Sequence, residues 1–220
     1  MILQFQQDNQ AIMLAHFGQM KVVSVYYRTS FETAPDGFGS SPVTQADITG
    51  VYRELLKTHS PSQIGAFGLS GGGQLASHLP VWLEARGLPL PGALGLITPA
   101  DGRSDYGNSG DTLFTLAGLD TFLSTAAFSG FLRLGPPDRT TLLDKPIPKG
   151  YPPTYIMAGT RDMCLSMAVL LHRRLRNSGV EVDLNIFDGL WHGATLVPGV
   201  PEAEEFTKDF ASFLDKHLSN

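Results

Sequence analysis

The run Gly68-Leu69-Ser70-Gly71-Gly72 stands between the apolar stretch Ile64-Gly65-Ala66-Phe67 and the helix-like Gln74-Leu75-Ala76-Ser77-His78-Leu79. It reads as strand, sharp turn and helix, with a serine at the turn. Glycines two residues before and two after Ser70 let the backbone take a strained elbow, and they let strand and helix pack closely around it. A serine hydroxyl is a weak nucleophile unless it is held exposed, given a base and set beside an anion-stabilising donor. A G-x-S-x-G run also occurs by chance as an ordinary strand-to-helix turn, so its meaning depends on whether an acid and a base lie downstream.

Strand–helix alternation continues along the chain. Five apolar or β-branched runs read as parallel strands covered on both faces: Val22–Tyr27, Ile64–Leu69, Ala93–Thr98, Thr154–Gly159 and Val182–Phe187. Between them, Ile48, Val51, Tyr52, Leu55 and Leu56 follow the spacing of an amphipathic helix. Cys164, Ala168, Leu171 and Leu175 do the same, with Gly179 as the C-terminal stop. Phe206, Phe210, Phe213 and Leu214 form an aromatic stripe on a last helix. The pattern predicts an α/β sandwich with a mostly parallel sheet of about five strands flanked by helices. Residues 101–149, rich in Gly, Ser, Thr, Asp and Pro, read as an excursion over the strand ends near the active site.

A length of 220 residues fits one domain spanning 1–220 with a sizeable core. A net charge of −5 with no basic run argues against nucleic acid and anionic membrane surfaces as partners. The chain has one cysteine, Cys164, which forms no intrachain disulfide and reads as a small core residue. A cytoplasmic location is the expectation, since residues 1–8 lack the pattern of a signal peptide and no long apolar span occurs.

In open α/β sheets ligands sit outside the carboxyl ends of the strands. After Ile64–Leu69 comes Ser70; after Thr154–Gly159 comes Thr160-Arg161-Asp162; after Val182–Phe187 comes Asp188-Gly189-Leu190-Trp191-His192-Gly193. Nucleophile, acid and base thus appear at strand ends in the order Ser, Asp, His, which is the α/β-hydrolase order. Of six histidines, His16, His59, His78, His172 and His217 fall in or beside helical patterns, and His192 alone follows the last strand. Asp162 is the preferred acid; Asp101, after Ala93–Thr98, is its rival, and Asp188 is too near His192 in sequence to reach around the ring.

These residues resemble the hormone-sensitive-lipase-like family of α/β-hydrolases, the bacterial family IV carboxylesterases. The likeness is strongest over Tyr151-Pro152-Pro153-Thr154 to Gly159-Thr160-Arg161-Asp162, and over Phe187-Asp188-Gly189-Leu190-Trp191-His192-Gly193. In the family these are a Pro-Pro turn, a strand, G-x-x-D with the triad acid, and D-G-x-x-H-G with the triad base. Gly68-Leu69-Ser70-Gly71-Gly72-Gly73 stands where the family has G-D-S-A-G-G, differing at Leu69 and Gly71. Val22–Arg28 resembles the family's V-x-x-V-D-Y-R strand, and Pro42 with Asp47 its P-x-x-x-x-D segment.

The resemblance implies a serine carboxylesterase acting on small soluble acyl esters, with Ser70, Asp162 and His192 as catalytic residues and no cofactor. It also implies an oxyanion donor in the Gly71 N–H. Trp191, next to His192, either walls the alcohol side of the substrate or anchors its loop. The family's H-G-G-G oxyanion motif is missing, as there is no glycine before Gly18. Counted back from Val22, the motif would fall a few residues before Met1, so the chain reads as N-terminally shortened, without the family's cap and first strands. The absent strand belongs between Val22–Tyr27 and Ile64–Leu69: those two pair directly, or Ile2–Gln6 fills part of the gap, or another subunit completes the edge. An open edge favours homo-oligomers. The alternative is a weak or inactive hydrolase-fold protein or binding module. A peptidase or lactonase on the same scaffold ranks lower, because no charged cluster is placed to read a peptide terminus. No metal site is expected, since His172 and Asp162 share no ligand spacing with a second histidine.

Overall fold

Among the described residues six parallel strands make one sheet in the order β2-β1-β3-β4-β5-β6. The computed structural model describes residues 1–5, 8–28, 42–100, 141–197 and 199–218. The strands are β1 (Ile2–Phe5), β2 (Val22–Val25), β3 (Gly65–Leu69), β4 (Ala93–Ile97), β5 (Thr154–Arg161) and β6 (Val182–Trp191). The helices are α1 (Asp8–Phe17), α2 (Pro42–Leu55), α3 (Gly71–Glu84), α4 (Leu165–Asn177) and α5 (Pro201–His217). The excursion read at 101–149 falls mostly outside the described residues; its last part, from Thr141, runs into the Tyr151-Pro152-Pro153 approach to β5.

Side chains alternate across the sheet, so each inner strand feeds two cores. On one face Leu3, Ala66, Leu94 and Ile156 meet Tyr52 of α2, Leu79 of α3 and Leu171 of α4. On the other, Ile2, Phe67, Ile97 and Met157 meet Leu14 of α1 and the Phe206–Phe210–Phe213 stripe of α5. The helical stripes read from the sequence therefore do dock. Gly179 ends α4 in the left-handed conformation (φ 81°), with the Val180 N–H donating to the Leu175 carbonyl.

The open slot in the sheet is filled from within the chain. Ile2–Phe5 lies between β2 and β3, with Ile2 opposite Val22 on one side and Gly65 on the other. The sheet thus has six strands rather than about five. The count back from Val22 is corrected too: a helix of ten residues, α1, spans most of the connection from β1 to β2. The residues after this strand are therefore Gln6-Gln7-Asp8-Asn9, of which Gln6 and Gln7 lie outside the described residues, and none is glycine.

The outer strands depart from the expectation of burial on both faces. β6 is mostly exposed or part-buried, and Ile186 is 41% exposed; among the described residues this strand has a neighbour on one side only. β2, at the other edge, is mostly half-buried. Among the described residues no helix is long and apolar enough to cross a membrane.

Candidate active site

β3 ends at Leu69 and α3 begins at Gly71, leaving a single residue, Ser70, to make the whole turn. Its backbone is forced to φ 54°, ψ −117°, a conformation that non-glycine residues rarely adopt and that persists only where the surroundings over-determine it. Those surroundings are specific. The Ser70 N–H donates to the Ile97 carbonyl at the end of β4, and the Ser70 carbonyl accepts from Ala100 N–H and Gln74 N–H. The flanking glycines leave no room for a side chain. A Cβ on Gly68 would lie 2.3 Å from the Gly72 backbone, and one on Gly72 would lie 2.1 Å from the Phe5 carbonyl oxygen. The end of β1 thus abuts the first turn of α3, and the elbow is wedged between β1 and β4.

The candidate acid comes from the end of β5. Asp162 is fully buried, and its Oδ1 accepts from the Cys164 backbone N–H at 2.7 Å. This is a local Asx turn that aims the carboxylate. The candidate base comes from the turn after β6. His192 is followed by Gly193 in the left-handed conformation (φ 77°), which reverses the chain into a short 3₁₀ turn, Ala194–Leu196. Its Nδ1 lies 2.9 Å from Asp162 Oδ1, and its Nε2 lies 2.9 Å from Ser70 Oγ. With Nδ1–H donating to the carboxylate, Nε2 is left to accept the serine proton. Three residues separated by 92 and 30 positions in sequence, Ser70 to Asp162 and Asp162 to His192, form one hydrogen-bonded chain.

Asp188 is exposed and accepts from Thr160 Oγ, whose oxygen in turn accepts the Gly189 N–H; that set ties the β5 and β6 ends together and does not reach the imidazole. Asp101 lies outside the described residues. His78 is buried in α3 against Ser77 and the Gln74 carbonyl, and His16 and His217 close helices α1 and α5.

Gly71 is the first residue of α3, so its N–H has no acceptor within the helix, and it points from the positive end of the helix dipole. Trp191 is the last residue of β6, immediately before His192, and is 48% exposed, which removes it from the core.

Cys164 is a residue whose part the sequence did not disclose. The helical stripe places it in the core, where it is, but it is also the N-cap of α4 and supplies the N–H that aims Asp162. The two-residue Asp-x-Cys spacing was the available signal. The fold brings the ligating atoms of Asp162, Cys164 and His192 within 4.8 Å of one another. Burial, and next the Asp162 charge, push the Cys164 thiol well above its ordinary pKa.

A family profile described as alpha/beta hydrolase fold matches residues 3–196. The chain belongs to the alpha/beta-hydrolase fold family. A search of curated proteins finds no match. Among solved structures, esterase E25 is 30% identical, with a TM-score of 0.80 over 99% of this chain and 70% of its own. EstE7, described as a homologue of hormone-sensitive lipase from a metagenome library, is 22% identical with a TM-score of 0.83, covering 99% of this chain and 78% of its own. An esterase from the bacterial hormone-sensitive lipase family is 23% identical at a TM-score of 0.78, covering 99% and 77%. The resemblance read from the sequence is thus borne out, with the last two likenesses speaking for the fold.

Proposed function

We propose that this α/β-hydrolase is a serine carboxylesterase acting on small, soluble acyl esters. The reading rests on the hydrogen-bonded chain from Ser70 Oγ through His192 to a buried Asp162, each link at 2.9 Å. Ser70 Oγ attacks the ester carbonyl carbon while its proton passes to His192 Nε2. The imidazolium so formed is stabilised by the Asp162 carboxylate, which keeps its own charge. The tetrahedral oxyanion takes the Gly71 N–H at the head of α3. Collapse breaks the bond to the alcohol oxygen, which leaves with the proton from His192, and Ser70 carries the acyl group. Water then repeats the sequence with His192 as base, releasing the carboxylic acid and restoring Ser70. Trp191, exposed beside the base, walls the ester on that side.

A second reading is a hydrolase-fold protein that turns over slowly or only binds. What favours it is the absence of glycine after β1, in Gln6-Gln7-Asp8-Asn9, where the family's second oxyanion donors would stand. Losing one such donor costs roughly 10²–10³ in turnover. Hydrolysis of p-nitrophenyl acetate and butyrate, with fluorophosphonate labelling of Ser70, separates the two. Turnover that disappears in Ser70→Ala and His192→Ala supports the esterase; labelling without turnover supports the second reading.

A further inference from the structure

The turn that carries the base is anchored to the first helix by a buried polar contact. Gln10 on α1 and Thr195 in the Ala194–Leu196 turn are 185 residues apart and both almost fully buried; Gln10 Nε2–H donates to Thr195 Oγ at 2.7 Å. The other end of the amide, Gln10 Oε1, is buried without a hydrogen-bond partner among the described residues, so the side chain is committed to this one contact. Asn9, one residue earlier, reaches the Leu196 carbonyl of the same turn at 3.5 Å. Leu14, one turn further along α1, and Ala194, next to Thr195, belong to the same buried apolar cluster as Phe206 of α5. An apolar pair of the same shape would fill that space about as well. A hydrogen bond adds direction: it sets where the turn sits along α1. His192 is three residues before Thr195, beyond the left-handed Gly193.

We propose that Gln10 and Thr195 are positioning residues for the base, fixing the 193–196 turn so that the His192 ring spans Ser70 and Asp162. This rests on the esterase reading for its kinetic consequence but not for its structural one. Catalytic groups must be held to within a fraction of an ångström, and residues outside the site supply that constraint.

The test compares Gln10→Met, Thr195→Val, the double variant, and Thr195→Ser, which keeps the hydroxyl. Two readouts are taken: kcat and KM for p-nitrophenyl butyrate, and the downfield proton resonance of His192 Nδ1–H on Asp162. Thr207→Val serves as control, since it removes another buried hydroxyl, bonded to the Ala203 carbonyl within α5. Gln10→Met and Thr195→Val are expected to lower kcat roughly 10–100-fold with KM unchanged, the size expected for a base displaced by up to about 1 Å. The resonance should broaden or vanish in both, the double variant should be no worse than either single change, and Thr195→Ser should behave as the parent. The control should lower thermal stability without altering kcat or the resonance. Unchanged resonance in both single variants overturns the proposal, as do losses that multiply in the double variant. If the parent lacks turnover, the esterase reading fails and the resonance alone still decides this one.

Discussion

Gly72→Ala places one methyl group where the structure leaves no space. The new Cβ would sit 2.1 Å from the Phe5 carbonyl oxygen and 3.1 Å from its carbon. Carbon and oxygen in contact rest near 3.3 Å, so β1 and α3 must separate by about 1 Å at the point where the elbow is held. Neither is free to move: Phe5 is buried and paired to Gly68 in the sheet, and the elbow is tied to β4 through Ile97. Overpacking of this kind costs about 1–3 kcal/mol, and a shift of 1 Å in a reacting group costs on the order of 10²-fold in rate. Gly50→Ala is the matched comparison. It lies inside α2 with nothing within 4 Å of the added methyl, and should stabilise by roughly 0.5–1 kcal/mol. Urea titration measures the stabilities, and p-nitrophenyl butyrate kinetics measure the elbow. Two glycine-to-alanine changes, both in helices, should therefore move stability in opposite directions. A Gly72→Ala protein with parental stability and kcat would refute the wedge between β1 and the elbow.

Asp162→Asn should lower kcat by roughly 10⁴, the loss seen when a triad acid can no longer hold the imidazole tautomer, whereas Asp188→Asn should leave kcat near the parent; the reverse result would reassign the acid. Cys164, buried and held protonated, should resist iodoacetamide at pH 8 in the folded protein and react once urea unfolds it, as counted by mass spectrometry. Burial also raises the Tyr52 and Tyr155 hydroxyls above their ordinary value near 10, so the folded state keeps protons that the unfolded chain loses. The stability they contribute is fully present below pH 10 and declines as pH rises past it, by up to about 1.4 kcal/mol per tyrosine for each unit. Urea midpoints at pH 8 and pH 11 check this, with Tyr52→Phe and Tyr155→Phe flattening the decline.

Much of the site was legible in the chain because its signals are local. Gly68 and Gly72 around Ser70 announce an elbow, since only residues without a side chain tolerate such close backbones. Apolar runs alternating with helical stripes announce a parallel sheet between two helical layers. Residues at strand ends, taken in order, led to Ser70, Asp162 and His192. The tertiary structure alone decided what depends on distant partners. Ile2–Phe5 is a short apolar segment like many others, and nothing within it encodes Val22 on one side and Gly65 on the other; the sheet's edges chose that register by burying it. Likewise, Asp162 and Asp188 both precede His192 in sequence, and only the buried end of β5, with the Cys164 N–H aiming one carboxylate, separates the partner of the base from the exposed partner of Thr160. Gln10 and Thr195 show the same limit, being ordinary residues until packing brings α1 against the last turn. Patterns that span one turn or one strand are written in sequence. Which distant surfaces meet is settled by the core as a whole, because each contact there draws its energy from burial that many segments share.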